Sequence, residues 1–127
     1  MAAGLAMQKA LAAALADVPG LGGVFDGPPA DAAAPYAVIG PDLVTDAGTK
    51  TEVAHDHRVL VTIWDDLPGG ARLQSLLGAA ETRLRGLAGV WDGHRIVSAR
   101  LLRAGVGPPD AGWRPGVIEM RLRSEQV

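Results

Sequence analysis

The chain has 127 residues, a formal net charge of −2 and a hydrophobic fraction of 48%. This length and composition predict one folded domain and argue against disorder. The small net charge argues against binding to nucleic acid or an anionic membrane by bulk electrostatics. Because the sequence has no cysteine, disulfides, zinc–thiolate sites and thiol nucleophiles are excluded. The N-terminal residues predict neither a signal peptide nor a membrane span.

The first predicted element is a helix over about Ala2–Val18, where apolar residues recur every three or four positions. Pro19-Gly20 ends it. Residues 24–26 are expected to form a short extended piece, and residues 35–40 a strand. The polar residues that follow have no apolar period, which is typical of a long mobile loop or the tip of an extended hairpin. We therefore expect a mobile loop or arm at about residues 41–55.

The next segment, from about Glu52 to Trp64, is predicted to be a strand with two apolar faces. Successive side chains of a strand point to opposite sides. Val59, Val61 and Ile63 share one face, which the chain's own helices can cover. The other face carries Arg58, Leu60, Thr62 and Trp64. We expect a second copy of the chain to cover that face.

The C-terminal half predicts one helix and two strands. Leucines at helical spacing over residues 73–87 form a continuous apolar stripe. Residues 94–104 form a predicted strand with Val97, Ala99 and Leu101 in one row and Ile96 and Leu102 in the other. Residues 113–123 alternate between apolar and charged side chains, as in a half-buried strand, and residues 124–127 are expected to fray. The element order predicts an α+β fold for residues 1–127: one domain, with about four mostly antiparallel strands and both helices on one face.

His55 and His57 form the sharpest chemical motif, because alternate strand residues share a face and two imidazoles can chelate one metal. His94 is the only other histidine, and the alternative is a polar strand entrance with solvated histidines. The Asp65-Asp66 pair fits a helix entrance better than acid–base catalysis. We therefore predict no catalytic, cofactor-binding or metal-binding residue and no cofactor, and we do not expect an enzyme.

Several segments, in this order and spacing, resemble a known family over nearly the full length. They are residues 11–15, Val24-Phe25-Asp26-Gly27-Pro28-Pro29, residues 34–40, Thr49-Lys50, residues 57–64, the second helix and residues 93–97. The chain resembles the small tail-completion or tail-terminator proteins of long-tailed phages, prophages and gene transfer agents. The family has no catalytic motif to transfer, and its fold is a small α+β domain with two helices.

The resemblance implies a ring, usually a hexamer, that caps the finished tail tube, ends its polymerisation and joins it to the head or neck. The implied partners are copies of the chain, the tail tube protein and a head-completion or neck protein. DNA passes through the channel in transit, no membrane is involved, and the site is the head–tail junction of a virion made in the bacterial cytoplasm. The expected subunit or tube interface residues are Arg58, Leu60, Thr62, Trp64, Thr49 and Lys50.

Two alternatives stay open on the sequence. The first is a head-closure or other neck adaptor protein, which the sequence separates poorly from a tail terminator. The second is a small metal-binding domain that uses His55 and His57. The subunit count and the channel-lining residues do not follow from the sequence.

Overall fold

The structure is a computed structural model, and it describes residues 2–127. Within these residues the chain forms two helices and six strands, so the predicted α+β class is confirmed. The elements are α1 (Ala3–Ala16), β1 (Val24–Phe25), β2 (Tyr36–Asp46), β3 (Ala54–Asp65), α2 (Ala71–Arg85), β4 (Val90–Trp91), β5 (His94–Val106) and β6 (Arg114–Gln126).

All of these strands belong to one mixed sheet in the order β1-β2-β3-β6-β5-β4. β1 runs parallel to β2, and every other neighbouring pair is antiparallel. The prediction of about four antiparallel strands is therefore wrong in number, because it counted only the four long ones. β1 and β4 have two residues each, too few to show a period of two.

The core lies between the two helices and one face of the sheet. Val59, Val61 and Ile63 of β3 point into it and are 2%, 0% and 0% exposed, as the alternation predicted. The apolar stripes of α1 and α2 cover this face because each helix repeats its apolar residues every three or four positions. The largest fully buried side chains beside them are Met7, Leu11, Leu15, Leu73, Leu84, Ile118, Met120 and Leu122.

β2 extends beyond its predicted end through an irregularity at Gly40-Pro41. The pairing with β3 shifts register between Ile39 and Asp42, and Gly40 has a φ of 121°, which glycine adopts readily. The strand then continues to Asp46. Of the expected arm at residues 41–55, residues 41–46 thus complete β2, residues 47–53 form the turn, and residues 54–55 begin β3. The geometry is that of an extended hairpin, and its mobility stays a prediction.

The predicted facing of β5 is wrong. Two register shifts against β6 fall between Ile96 and Ser98 and between Leu101 and Arg103. Each shift is a bulge that inserts one unpaired residue and reverses the alternation. Ile96 therefore shares the core side with Ala99 and Leu101, whereas Val97 is exposed.

The C-terminal residues are paired, contrary to the predicted fraying. Ser124 is fully buried. The Gln126 N–H donates to the Val53 carbonyl at 2.9 Å, and the Val127 N–H donates to the Gly93 carbonyl at 2.8 Å. β6 lies between β3 and β5, so both of its edges are occupied.

Candidate interaction surface

The face of the sheet opposite the helices is not covered by either helix, and we call it the outer face. Leu60, Thr62 and Trp64 lie on it half-buried, and Arg58 is exposed. The sequence placed these four side chains on one face, and the burial pattern of β3 agrees. Their role at an interface stays a prediction.

Aromatic side chains gather at one end of the outer face, which we call the aromatic end. Trp64 pairs in register with Tyr36 on one side and Pro115 on the other. The ring of Tyr36 meets Trp113 edge-on at 5.5 Å and Phe25 at 6.0 Å. Edge-to-face contacts of this kind add to the stability that apolar burial gives. The aromatic end is thus a partly exposed apolar surface with fixed geometry.

Toward the hairpin, the outer face becomes basic. Arg58, Arg121 and Arg100 are direct register neighbours on β3, β6 and β5, and we call them the arginine row. Like charges directly opposite on a sheet repel. Asp56 offsets this in part, because its Oδ2 accepts from Arg121 Nη2 at 3.2 Å. The outer face is therefore divided into an apolar end and a cationic end.

Thr49 and Lys50 lie in the turn between β2 and β3, away from the other expected interface residues. Both are exposed. The Thr49 hydroxyl accepts from the N–H groups of Thr51 at 3.3 Å and Glu52 at 3.1 Å. Its side chain therefore stabilises the turn, while Lys50 beside it is exposed.

In the histidine motif His57 is buried and His55 is half-buried, which corrects the expectation of solvated histidines. His57 is 0% exposed, and its Nε2 lies 2.8 Å from the Ser124 hydroxyl. Its Nδ1 has no hydrogen-bond partner among residues 2–127. Burial lowers the pKa of His57, and the neighbouring His55 lowers it further. The ring is thus a neutral core group at pH 7.

The metal-binding alternative gains no support from this cluster. The His55 and His57 rings lie 6.2 Å apart, and His94 Nδ1 lies 3.1 Å from the Asp92 carbonyl oxygen. Across residues 2–127, no group of three or more His, Cys, Asp or Glu side chains is arranged to hold a metal ion.

Asp65 has a structural partner. It is 1% exposed, and Arg72 Nε donates to its Oδ2 at 3.0 Å while Nη2 donates to Oδ1. The hydrogen bonds from Arg72 lower the pKa of Asp65. This pair ties the end of β3 to the first turn of α2, so the geometry matches the predicted helix entrance.

A cleft of about 200 Å³ opens between α1 and the irregular part of β2. Its polar side chains are Gln8, Asp26 and Asp42, beside apolar residues such as Met7 and Ile39. The lining holds no nucleophile next to a base, which acyl or phosphoryl transfer would need. In the part of the chain that the structure describes, no helix is long and apolar enough to cross a membrane.

An α+β subunit with one covered sheet face and one partly exposed apolar face is a form suited to assembly. Comparison with known proteins identifies the class. The chain matches the family described as tail completion protein gp17 over residues 3–125, and it belongs to that family. The resemblance drawn from the sequence is thereby confirmed, and the chain is a structural protein of the phage-tail class.

A solved structure supports the same class. The chain is similar to a chain of the structure described as the virion of a native gene transfer agent (GTA) particle. The identity is 26% and the TM-score is 0.75, with 98% of this chain and 95% of that chain covered. No curated protein matches this chain significantly.

Sequence reasoning missed two features of this surface. The first is the arginine row, because the pairing of β3, β6 and β5 brings together residues more than 20 positions apart. The sequence signal for it was the presence of six arginines in residues 95–123. The second is the pair of β5 bulges, for which a single sequence offers no reliable signal.

Proposed function

We propose that this protein is a tail terminator: copies of the chain form a ring, and the ring caps the tail tube and ends its polymerisation. The ring then offers a docking face to the head-completion or neck proteins at the head–tail junction, and DNA passes through its channel. The protein acts by shape and contact, without catalysis or a cofactor. The observation that carries the proposal is membership of the tail completion family over residues 3–125.

The outer face supports a role in assembly. Leu60 and Trp64 keep part of their apolar surface exposed although the helices fully cover the other side of β3. Contiguous exposed apolar surface is typical of interaction sites. Aromatic residues are also enriched at interface centres. We propose that Arg58, Leu60, Thr62 and Trp64 contact a neighbouring copy or the tube, and that Thr49 and Lys50 reach the same partner from the hairpin tip.

The test combines mass measurement of the purified protein with negative-stain imaging, alone and with purified tails. We expect rings in solution or rings bound at one end of each tail. A protein that stays monomeric and leaves purified tails unbound would contradict the proposal. Weak self-association alone would not, provided that rings form on the tube.

A head-closure or neck adaptor role is the second candidate, favoured by the same similarity to a virion component. Particle assembly in the absence of this protein separates the two. Loss of a terminator should give overlong or unfinished tubes. Loss of a head-closure protein should leave finished tails beside unsealed heads.

A further inference from the structure

Each outermost long strand of the sheet has a segment that no other strand of the described chain pairs with. On one side, β1 covers β2 only at Ala37–Val38, which leaves residues 42–46 with an open edge. On the other side, β4 covers β5 at His94–Arg95 and the Ile96 N–H donates to the Gly89 carbonyl at 2.9 Å, which leaves residues 97–106 open. Open edges present rows of unpaired N–H and C=O groups and are templates for pairing with another chain.

Both open segments carry exposed apolar side chains. Leu43 and Val44 on β2 are 61% and 39% exposed, and Val97 and Leu102 on β5 are 47% and 41% exposed. Each segment also carries two charged side chains, which discourage pairing of an open edge with unrelated chains. Apolar side chains at both edges are what a surface that becomes covered in an assembly would carry.

The two segments lie at the same level along the sheet. Val44 pairs with His57, His57 with Leu122, and Leu122 with Ala99. By the same register, Asp42 is level with Leu101 and Asp46 with Ile96. Rotation about an axis parallel to the strands does not move a copy along the strand direction. Copies related by such a rotation can therefore pair these two edges at the same level, without one copy being displaced along the strands.

The strand directions and the charges of the two open segments are also compatible with pairing between copies. β2 is antiparallel to β3, β3 to β6 and β6 to β5, so β2 and β5 run in opposite directions. When the sheet continues from one copy into the next, these strands therefore meet as an antiparallel pair. Residues 41–46 carry two carboxylates and no cation, whereas residues 97–106 carry two arginines and no carboxylate. Opposite charge on the two edges favours their encounter.

We propose that the β2 edge at residues 42–45 of one copy pairs, antiparallel, with the β5 edge at residues 97–101 of the next copy. Different surfaces meet, so the contact is head-to-tail and can close into a ring; ring closure on a tail rests on the proposed function. In this ladder Leu43 lies level with the neighbour's Arg100, because both occupy the row that contains Arg58 and Arg121. The aliphatic stem of an arginine can cover such an exposed leucine.

The most direct test is a disulfide between copies, because the chain contains no cysteine. Facing residues of an antiparallel pair have Cβ atoms about 4.5–5.5 Å apart, close enough for a disulfide after a small adjustment. The variant with both Val44→Cys and Ala99→Cys should give a ladder of covalent oligomers on oxidation, alone or on purified tails. Val44→Cys by itself should give no ladder. A variant with both Val53→Cys and Ala99→Cys is the matched control, because Val53 is exposed at the turn but lies outside the open edge.

Two blocking variants test the head-to-tail character. Val44→Lys should block the β2 edge and Val97→Lys the β5 edge, so neither protein should assemble alone. An equal mixture should form dimers, because one intact β2 edge then meets one intact β5 edge. Val53→Lys adds the same charge outside the edges and should assemble as the parent does. Circular dichroism and urea unfolding of the monomers verify that each variant folds.

The outcomes separate this inference from the proposed function. If both lysine variants fold and assemble like the parent, and no covalent ladder forms, the edge pairing is wrong even when the protein still caps tails. If the covalent ladder forms but the protein neither binds tails nor limits their length, the edge pairing stands and the terminator function is wrong. If the edges instead recruit only the tube protein, the cysteine variant should cross-link to a cysteine-bearing tube subunit and not to itself, which also contradicts pairing between copies.

Discussion

His57 and Ser124 meet across β3 and β6 through a 2.8 Å contact between Nε2 and Oγ, with both residues fully buried. Ser124 lies near the end of β6, so this contact anchors the last strand to the centre of the sheet. The groups that act on the His57 charge are His55 on its own strand, Asp42 on β2, His94 on β5 and Asp56.

This contact predicts acid sensitivity of folding. Burial, reinforced by His55, lowers the pKa of His57 in the folded protein, whereas in the unfolded chain it stays near 6.5. Below about pH 6.5 the unfolded state therefore binds more protons, and stability falls as the pH falls until the folded pKa is reached. His57→Gln should reduce the slope by at most about 1.4 kcal/mol per pH unit, the value for one proton.

Urea unfolding of the parent and of His57→Gln between pH 7.5 and pH 5 measures that slope. The Gln side chain can still bond Ser124 but does not titrate in this range. Equal slopes for both proteins would show that His57 is not the group responsible.

The Asp65–Arg72 pair predicts a loss of stability at a lower pH. In the folded protein the pKa of Asp65 is lowered, chiefly by the hydrogen bonds from Arg72. The contribution of the pair to folding stability is therefore fully present above the pKa of an unfolded Asp, near 3.9. It is lost as the pH falls through the pKa of the folded state. At pH 7 Asp65→Asn should destabilise by about 1.5–3 kcal/mol, typical of a hydrogen bond to a charged group.

The matched control is Asp66→Asn. Asp66 is 53% exposed and lies 3.4 Å from Arg72, so its removal should change stability by less than about 1 kcal/mol. Chemical denaturation at pH 7 and pH 3 tests both variants. If the two give equal losses at pH 7, the buried pair has no special role.

The packing of α2 against the sheet predicts how much stability is lost when a cavity is created there. Leu77 of α2 is buried in the core, and Leu77→Ala should lower the free energy of unfolding by about 2–5 kcal/mol. Leu67→Ala, at a residue that is 42% exposed, removes the same atoms outside the core. A thermal or urea melt that shows similar losses for both variants would contradict the placement of α2.

Gly116 allows a test of the opposite change, in which an added methyl group overpacks the core. A Cβ at this residue would lie 2.9 Å from Leu73 Cδ1 and 2.9 Å from Leu77 Cδ2. Gly116→Ala should therefore destabilise by about 1–3 kcal/mol. In the Leu77→Ala background the added penalty should be smaller, because one of the two crowding leucines is then gone. A double-mutant cycle measures this coupling, and strict additivity would show that the methyl group does not meet Leu77.

A substitution at Trp64 should distinguish an effect on assembly from an effect on subunit folding. Because its side chain lies on the outer face and is only half-buried, Trp64→Ala should impair assembly or tail binding more than it lowers subunit stability. Mass measurement, tail binding and urea unfolding of the same preparation give both quantities. Unfolding of the isolated subunit by this substitution would mean that Trp64 serves the fold and not an interface.

Much of the architecture could be read from periodicity. The two helices show a repeat of 3.6, and β3 and β6 show a repeat of 2, each over ten or more residues, which averages out local exceptions. The facing of β3 and β6 followed directly, since alternation is unbroken in both. The short strands β1 and β4 and the true end of β2 could not be read this way. Gly40-Pro41 looks like a strand end until the pairing with β3 shows that the strand continues.

The sequence by itself determined the α+β class, the absence of thiol chemistry, the two faces of β3 and the family. The fold class and the faces of β3 depend on local repetition, the absence of thiols depends on composition, and the family depends on the order and spacing of segments along the chain. Only the tertiary structure decided that His57 is buried against Ser124, that three arginines form one row and that two open edges lie at the same level. Each of these joins residues far apart in the chain, and the register of strand pairing, together with bulges that a local pattern does not reveal, sets which residues meet.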